Sequence, residues 1–276
     1  VIGQIGGPEA AAALKTSLRG DDAAVVRGQA LLGLSKIADD TVLPELLAVL
    51  LEERFEAELR RSAALLLARR PEREAAEVLV KTLQRRVSPE ASAWIVQALA
   101  FSVHADPARA PLRDVIEQDV DETLRAEACV SYSRLLQREA VPLLAERLKV
   151  EASSRVRRSI VNALAEQDPA AVRDALSSAL QTDSDVTVRA LVAEGLGRAG
   201  QGDALELLAA ALAAETSLQV RLSMIQAIGK VGGEKAAGLL TQIAQSKDAS
   251  VRGEASAALA KLRGEGENSA RPENGF

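Results

Sequence analysis

The sequence predicts an all-α fold, an α-solenoid (superhelix) of about eight helix-pair repeats of ~32 residues. Three observations predict it. A short pattern recurs along the chain at a fixed period. Apolar residues fall at helical spacing, and no segment alternates at the period of a strand over a useful length. The composition, 47% hydrophobic but only 2% aromatic, is rich in alanine and leucine, which favour helix.

The recurring pattern is clearest in "VRALVAEGLGRAG" from Val188. It returns as "VRGQALLGLSKIA" from Val26, "LRRSAALLLARRP" from Leu59, "LRAEACVSYSRLL" from Leu124 and "VRRSIVNALAEQD" from Val156. "VRLSMIQAIGKVG" from Val220, "VRGEASAALAKLR" from Val251 and the diverged "ASAWIVQALAFSV" from Ala91 complete the set. The second residue of each is an anchor: Arg27, Arg60, Ser92, Arg125, Arg157, Arg189, Arg221 and Arg252, spaced 31 to 33 residues apart.

Each period holds two helices. Helix B carries the anchor near its start. Apolar residues one before the anchor and three, four and seven after it, such as Val188, Val192, Ala193 and Leu196, form one buried stripe. Helix A reads "TVLPELLAVLLEE", "REAVPLLAERLKV" or "GDALELLAAALAA". Breakers such as Gly20-Asp21-Asp22, Asp168-Pro169 and Gly232-Gly233 are expected to separate the pairs.

Gly195-Leu196-Gly197-Arg198-Ala199-Gly200 is a literal G-x-G-x-x-G. A dinucleotide fingerprint needs a strand before it and a helix opening at the glycines. Here the glycines lie inside helix B, which is expected to end at Gly200. Residues six and eight after the anchor are small in almost every copy, as in Gly33 and Ser35 or Ala163 and Ala165. They are read as room for the paired helix to approach.

Six residues before the anchor lies an acid in five copies: Asp21, Asp119, Glu151, Asp183 and Glu215. Acid and anchor are expected to pair along the stack as a ladder, Asp183 and Arg189 with Arg157 and Glu215, and the acid to cap helix B. Arg54 before Arg60, and Arg86 with Ser92, break the ladder in copies two and three.

Helix pairs with the pattern D-x-x-x-x-V-R-x-x-A-x-x-A-L-G resemble HEAT repeats. The short period resembles HEAT-like repeats of bacterial proteins, a class that includes phycobilin lyases. The resemblance covers roughly residues 1–263 and implies a right-handed stack whose B helices line a concave groove. "VIGQIGG" at residues 1–7 matches only the tail of a helix B, so a truncated first repeat is expected there. Residues 264–276 have no apolar period and are expected to be disordered.

In the geometry that the resemblance implies, positions two, five, nine and twelve after the anchor face the groove. They are mainly polar, except in copy three. Trp94, Gln97, Phe101 and His104 are expected to share one face of its helix B, and they include the chain's only Trp and only His. Arg69 and Arg134 lie at position nine of the flanking copies. These six residues form the candidate partner-binding patch, since Trp and Arg concentrate binding energy. The alternative is that Trp94 and Phe101 fill a gap in the core left by the broken ladder. The basic residues at position nine also offset the helix dipole. Phe55, Tyr132 and Cys129 read as core.

One Cys and one His exclude an internal disulfide or a multidentate zinc site. A HEAT-like di-iron hydroxylase would need several His-Glu pairs. A net charge of −5 argues against nucleic acid, which a glycosylase-type groove would have to attract. No apolar run is long enough for a membrane helix. A low cysteine count fits the cytoplasm, but a chain starting at Val1 leaves localisation open. The expected function is a non-enzymatic scaffold, without cofactor or metal, that binds an unidentified protein or peptide in the groove. The alternatives are a ligand-holding accessory protein of the bilin-lyase type and a structural spacer in a larger protein.

Overall fold

The structure is a computed structural model that describes residues 7–38, 41–199 and 203–269. Residues 1–6, Gly200 and 270–276, on which expectations about the first repeat, a helix end and the tail fell, lie outside the described residues. Among the described residues the regular structure is helical and the fold is an α-solenoid. It divides into two compact units, residues 1–137 and 138–276.

The first unit pairs α1 (Gly7–Gly20) with α2 (Ala24–Leu34), α3 (Val42–Leu51) with α4 (Ala57–Ala68), α5 (Arg73–Arg85) with α6 (Pro89–Leu99), and α7 (Ala105–Gln118) with α8 (Glu122–Leu136). The second pairs α9 (Val141–Val150) with α10 (Ser154–Ala165), α11 (Pro169–Thr182) with α12 (Val186–Ala199), α13 (Ala204–Ala214) with α14 (Leu218–Val231), and α15 (Gly233–Ile243) with α16 (Ala249–Ser269). Odd-numbered helices are A and even-numbered helices are B. Helix α16 runs to Ser269, six residues into the segment 264–276 for which no structure was expected.

The predicted stripe is the core. Val188, Val192, Ala193 and Leu196 are buried in α12, as are Val156, Ile160, Val161 and Leu164 in α10. Each Val, Ile or Leu among them contributes on the order of 1.5–3 kcal/mol by leaving water. Val26 departs from the rule and is exposed. Phe55, Tyr132 and Cys129 are buried, as read.

Within each unit B helices pack directly on successive B helices, and A–A contact is sparser. The small residues explain this. A Cβ on Gly197 would lie 2.7 Å from the Cα of Ala227, one on Gly229 3.1 Å from the Cβ of Ala258, and one on Gly195 3.1 Å from the Cβ of Ala165. Position eight of one B helix thus meets position six of the next. The expectation of a close approach holds, but in these copies the partner is the neighbouring B helix, not the paired A helix. Gly33, against Leu14 of α1, does face its own A helix.

The ladder forms along each unit, with the partner assignment expected for copies five to seven. Arg157 holds Asp183 through Nε (2.8 Å) and Nη2 (2.9 Å), and its Nη1 donates to the Glu151 carbonyl (3.0 Å). Arg189 holds Glu215 at 2.7 and 3.0 Å and donates to the Asp183 carbonyl at 2.7 Å. Each arginine therefore ties its own A–B turn to the next one.

Two details differ from the expectation. The acid six before the anchor does not cap helix B. It ends helix A, and its carboxylate accepts from the backbone N–H two residues on, as in Asp183 with Asp185 and Glu215 with Ser217. In α8 and α10 the cap comes from that second residue, Asp121 and Ser153, whose side chains accept from the N–H groups of Thr123 and Val156. Copy two also keeps a rung. Arg54 displaces the acid, but Glu56, four before the anchor, pairs with Arg27. Asp248, also four before its anchor, pairs with Arg221 at 3.4 Å.

Candidate partner-binding site

Copy three, in the first unit, lacks both parts of a rung. Its anchor is Ser92, buried and without a guanidinium, and the acid position is Arg86. Arg86 ends α5 in the left-handed conformation (φ 53°) and pairs with Asp119 of the following turn, replacing the missing anchor. On the other side Arg60 is left with no carboxylate at ion-pair distance among the described residues. Its Nε donates to the Leu50 carbonyl at 3.0 Å, and its guanidinium lies over the Trp94 ring, 5.0 Å from the centroid.

Trp94 is partly exposed on α6. Gln97, one turn on, donates from Nε2 to Glu127 of α8 at 3.2 Å. Phe101 is 46% exposed, with Arg69 of the neighbouring copy over its ring at 5.4 Å. Val103 beside it is 60% exposed. The patch is therefore a partly exposed apolar strip in which two rings each carry an arginine. Such contacts are worth roughly 0.5–1 kcal/mol when exposed.

The expectation that four residues share one helix face is corrected. Helix α6 ends at Leu99, so only Trp94 and Gln97 lie on it. Ser102 ends the run: its hydroxyl accepts from the His104 N–H (3.3 Å) and donates to the His104 carbonyl (2.9 Å), bonds that compete with helix continuation. Val103 N–H reaches the Ala68 carbonyl at 3.3 Å, drawing the turn against the end of α4. His104 begins α7 as its N-cap residue, and its Nε2 lies 2.6 Å from the Pro71 carbonyl. The histidine thus fastens a turn. Arg69 meets the patch through Phe101; Arg134 is exposed at the end of α8, and no cation–π contact among the described residues involves it.

In the sequence Arg60 reads only as an anchor. Its role at the patch was signalled by Arg86, which removes the acid that Arg60 would have held. Among the described residues no group of three or more His, Cys, Asp or Glu is placed to hold a metal, and no helix is long and apolar enough to cross a membrane.

Helix pairs stacked through their B helices and pinned by an arginine ladder define a helical-repeat scaffold. Residues 141–223 match the family model of HEAT repeats. Among solved structures the chain is similar to human deoxyhypusine hydroxylase in complex with glycerol, at 21% identity and a TM-score of 0.41, covering 95% of this chain and 97% of that one. It is also similar to the complex of CpcE and CpcF of phycocyanin lyase from Nostoc sp. PCC7120, at 19% identity and a TM-score of 0.39, covering 91% and 94%. No curated protein matches the chain in sequence.

Proposed function

We propose that the chain is a non-enzymatic scaffold that binds a partner protein or peptide on the B-helix face of its first unit. The observation that carries this is the Trp94–Phe101 strip. On a face whose ninth positions are otherwise charged and exposed, copy three presents a partly exposed Trp and an exposed Phe, each beneath an arginine. Large aromatics with arginine at a surface are the residue types in which binding energy concentrates.

The test is Trp94→Ala. Partner binding should weaken by about 2 kcal/mol or more, with stability nearly unchanged. Trp94 is the chain's only tryptophan, so a soluble quencher reports its exposure without labelling. A loss of about 3–5 kcal/mol in stability would instead make Trp94 core. So would fluorescence that the quencher cannot reach.

A further inference from the structure

Arg60 is a ladder arginine without its rung. Arg27, Arg157, Arg189 and Arg221 each hold a carboxylate of the next repeat. For Arg60 the equivalent place in the next repeat is Arg86, which has turned to Asp119, and the residue two further on is Ser88. The Nε of Arg60 is taken by the Leu50 carbonyl. Its two terminal nitrogens have no hydrogen-bond partner among the described residues. Its guanidinium carbon lies over the Trp94 ring, and these N–H groups are left to bond a carboxylate.

The surroundings favour a single acidic group over a polyanion. Lys36, Arg69 and Arg134 occupy the ninth positions of the other copies in this unit and are exposed. Glu56 is engaged by Arg27, and Glu127 by Gln97. The chain as a whole carries −5, which disfavours a polyanion such as a nucleic-acid backbone but leaves a single local cation able to take one acid. Trp94, partly exposed beneath Arg60, and the exposed Phe101 and Val103 further along the chain offer apolar surface.

We infer that Arg60 receives the side-chain carboxylate of an acidic partner peptide, which fills the rung vacant in copy three while a neighbouring apolar side chain of the peptide lies on Trp94 and Phe101. The inference rests on the reading of this face as a partner-binding surface and names the chemistry of the partner.

The experiment selects short random peptides displayed on phage against the full chain, then titrates the synthetic winners while following Trp94 fluorescence. The winners should carry Asp or Glu within a residue or two of a large apolar side chain. Replacing that acid with its amide, or Arg60→Gln, should weaken binding about tenfold or more, and Arg60→Lys should weaken it less. A second variant, Arg86→Asp with Ser92→Arg, restores the ladder from inside the chain. It should keep or raise thermal stability while weakening the same peptides about tenfold, because Arg60 then has an internal partner. Winners without acids that still shift Trp94 fluorescence and ignore both variants would overturn the acidic partner and leave the binding face intact. Peptides whose binding ignores Trp94→Ala, or a selection that yields none, would overturn the face as well. Arg60-dependent binding of single-stranded DNA with no acidic peptide enriched would overturn the peptide assignment.

Discussion

Arg189 shows what a single guanidinium does in this stack. It closes its own turn at the Asp183 carbonyl and grips Glu215 of the next turn with two nitrogens, and the two side chains are only 13% and 6% exposed. The hydrogen bonds that Arg189 donates to Glu215 hold the carboxyl below the usual carboxylate range and raise Arg189. Arg189→Ala would leave a nearly buried carboxylate with backbone donors alone, so it should cost about 2–3 kcal/mol. Arg221, whose pair with Asp248 is longer and 28% and 38% exposed, should cost less than about 1 kcal/mol when cut to alanine. Urea unfolding of the two variants separates them, and equal costs would show that the rungs act as interchangeable surface pairs. Arg189→Lys should recover only part of the loss, because an ammonium cannot reach both turns in a planar fork.

At the scale of the helices, spacing is set where position eight of one B helix meets position six of the next. Gly197→Ala adds a methyl 2.7 Å from backbone at Ala227, which cannot rotate away. The cost of parting α12 from α14, about 1–3 kcal/mol, should exceed the ~1 kcal/mol that alanine gains in helix propensity. Gly238 in α15 and Gly253 in α16 have nothing within 4 Å of a built Cβ. Alanine there should stabilise by about 0.5–1 kcal/mol. Melting curves of the three variants check this, and a stabilised Gly197→Ala would end the close-approach account. The same contact shows what could be read from sequence. Periodicity marks the stripe of Val188, Val192, Ala193 and Leu196 because burial recurs with the helix turn. The small pair at positions six and eight was visible too, but its contact was not, since a pattern along one helix does not say which neighbour it meets. Glu56 and Asp248 escaped because an acid four residues before the anchor reaches the same arginine as one six before it. His104 was misplaced because the end of α6 depends on Ser102 hydroxyl bonds and on Ala68 in another helix pair, which no local spacing encodes.

At the scale of the whole molecule, the ladder and the helix B caps make folding depend on ionised carboxylates. Asp185, whose carboxylate accepts from the Thr187 hydroxyl and from the N–H groups of Thr187 and Val188, is lowered to about 2. Glu215 is lowered by Arg189. In the unfolded chain both return to the ordinary range near about 4. The folded state therefore binds fewer protons in acid. The stability these groups contribute is fully present above their unfolded values and is lost as pH falls through the folded ones. The urea midpoint should stay level from about pH 7 to 5 and fall between about pH 4 and 2. Asp185→Asn, which keeps a side-chain cap, and Glu215→Gln should each start lower at neutral pH and flatten that fall. Hydrogen exchange in acid should show the turns between α11 and α12 and between α13 and α14 losing protection early, because that is where these carboxylates sit. A midpoint that stays level down to pH 2, or a fall equally steep in both variants, would show that the stack is held by its apolar stripe alone, with the ladder setting register but not stability.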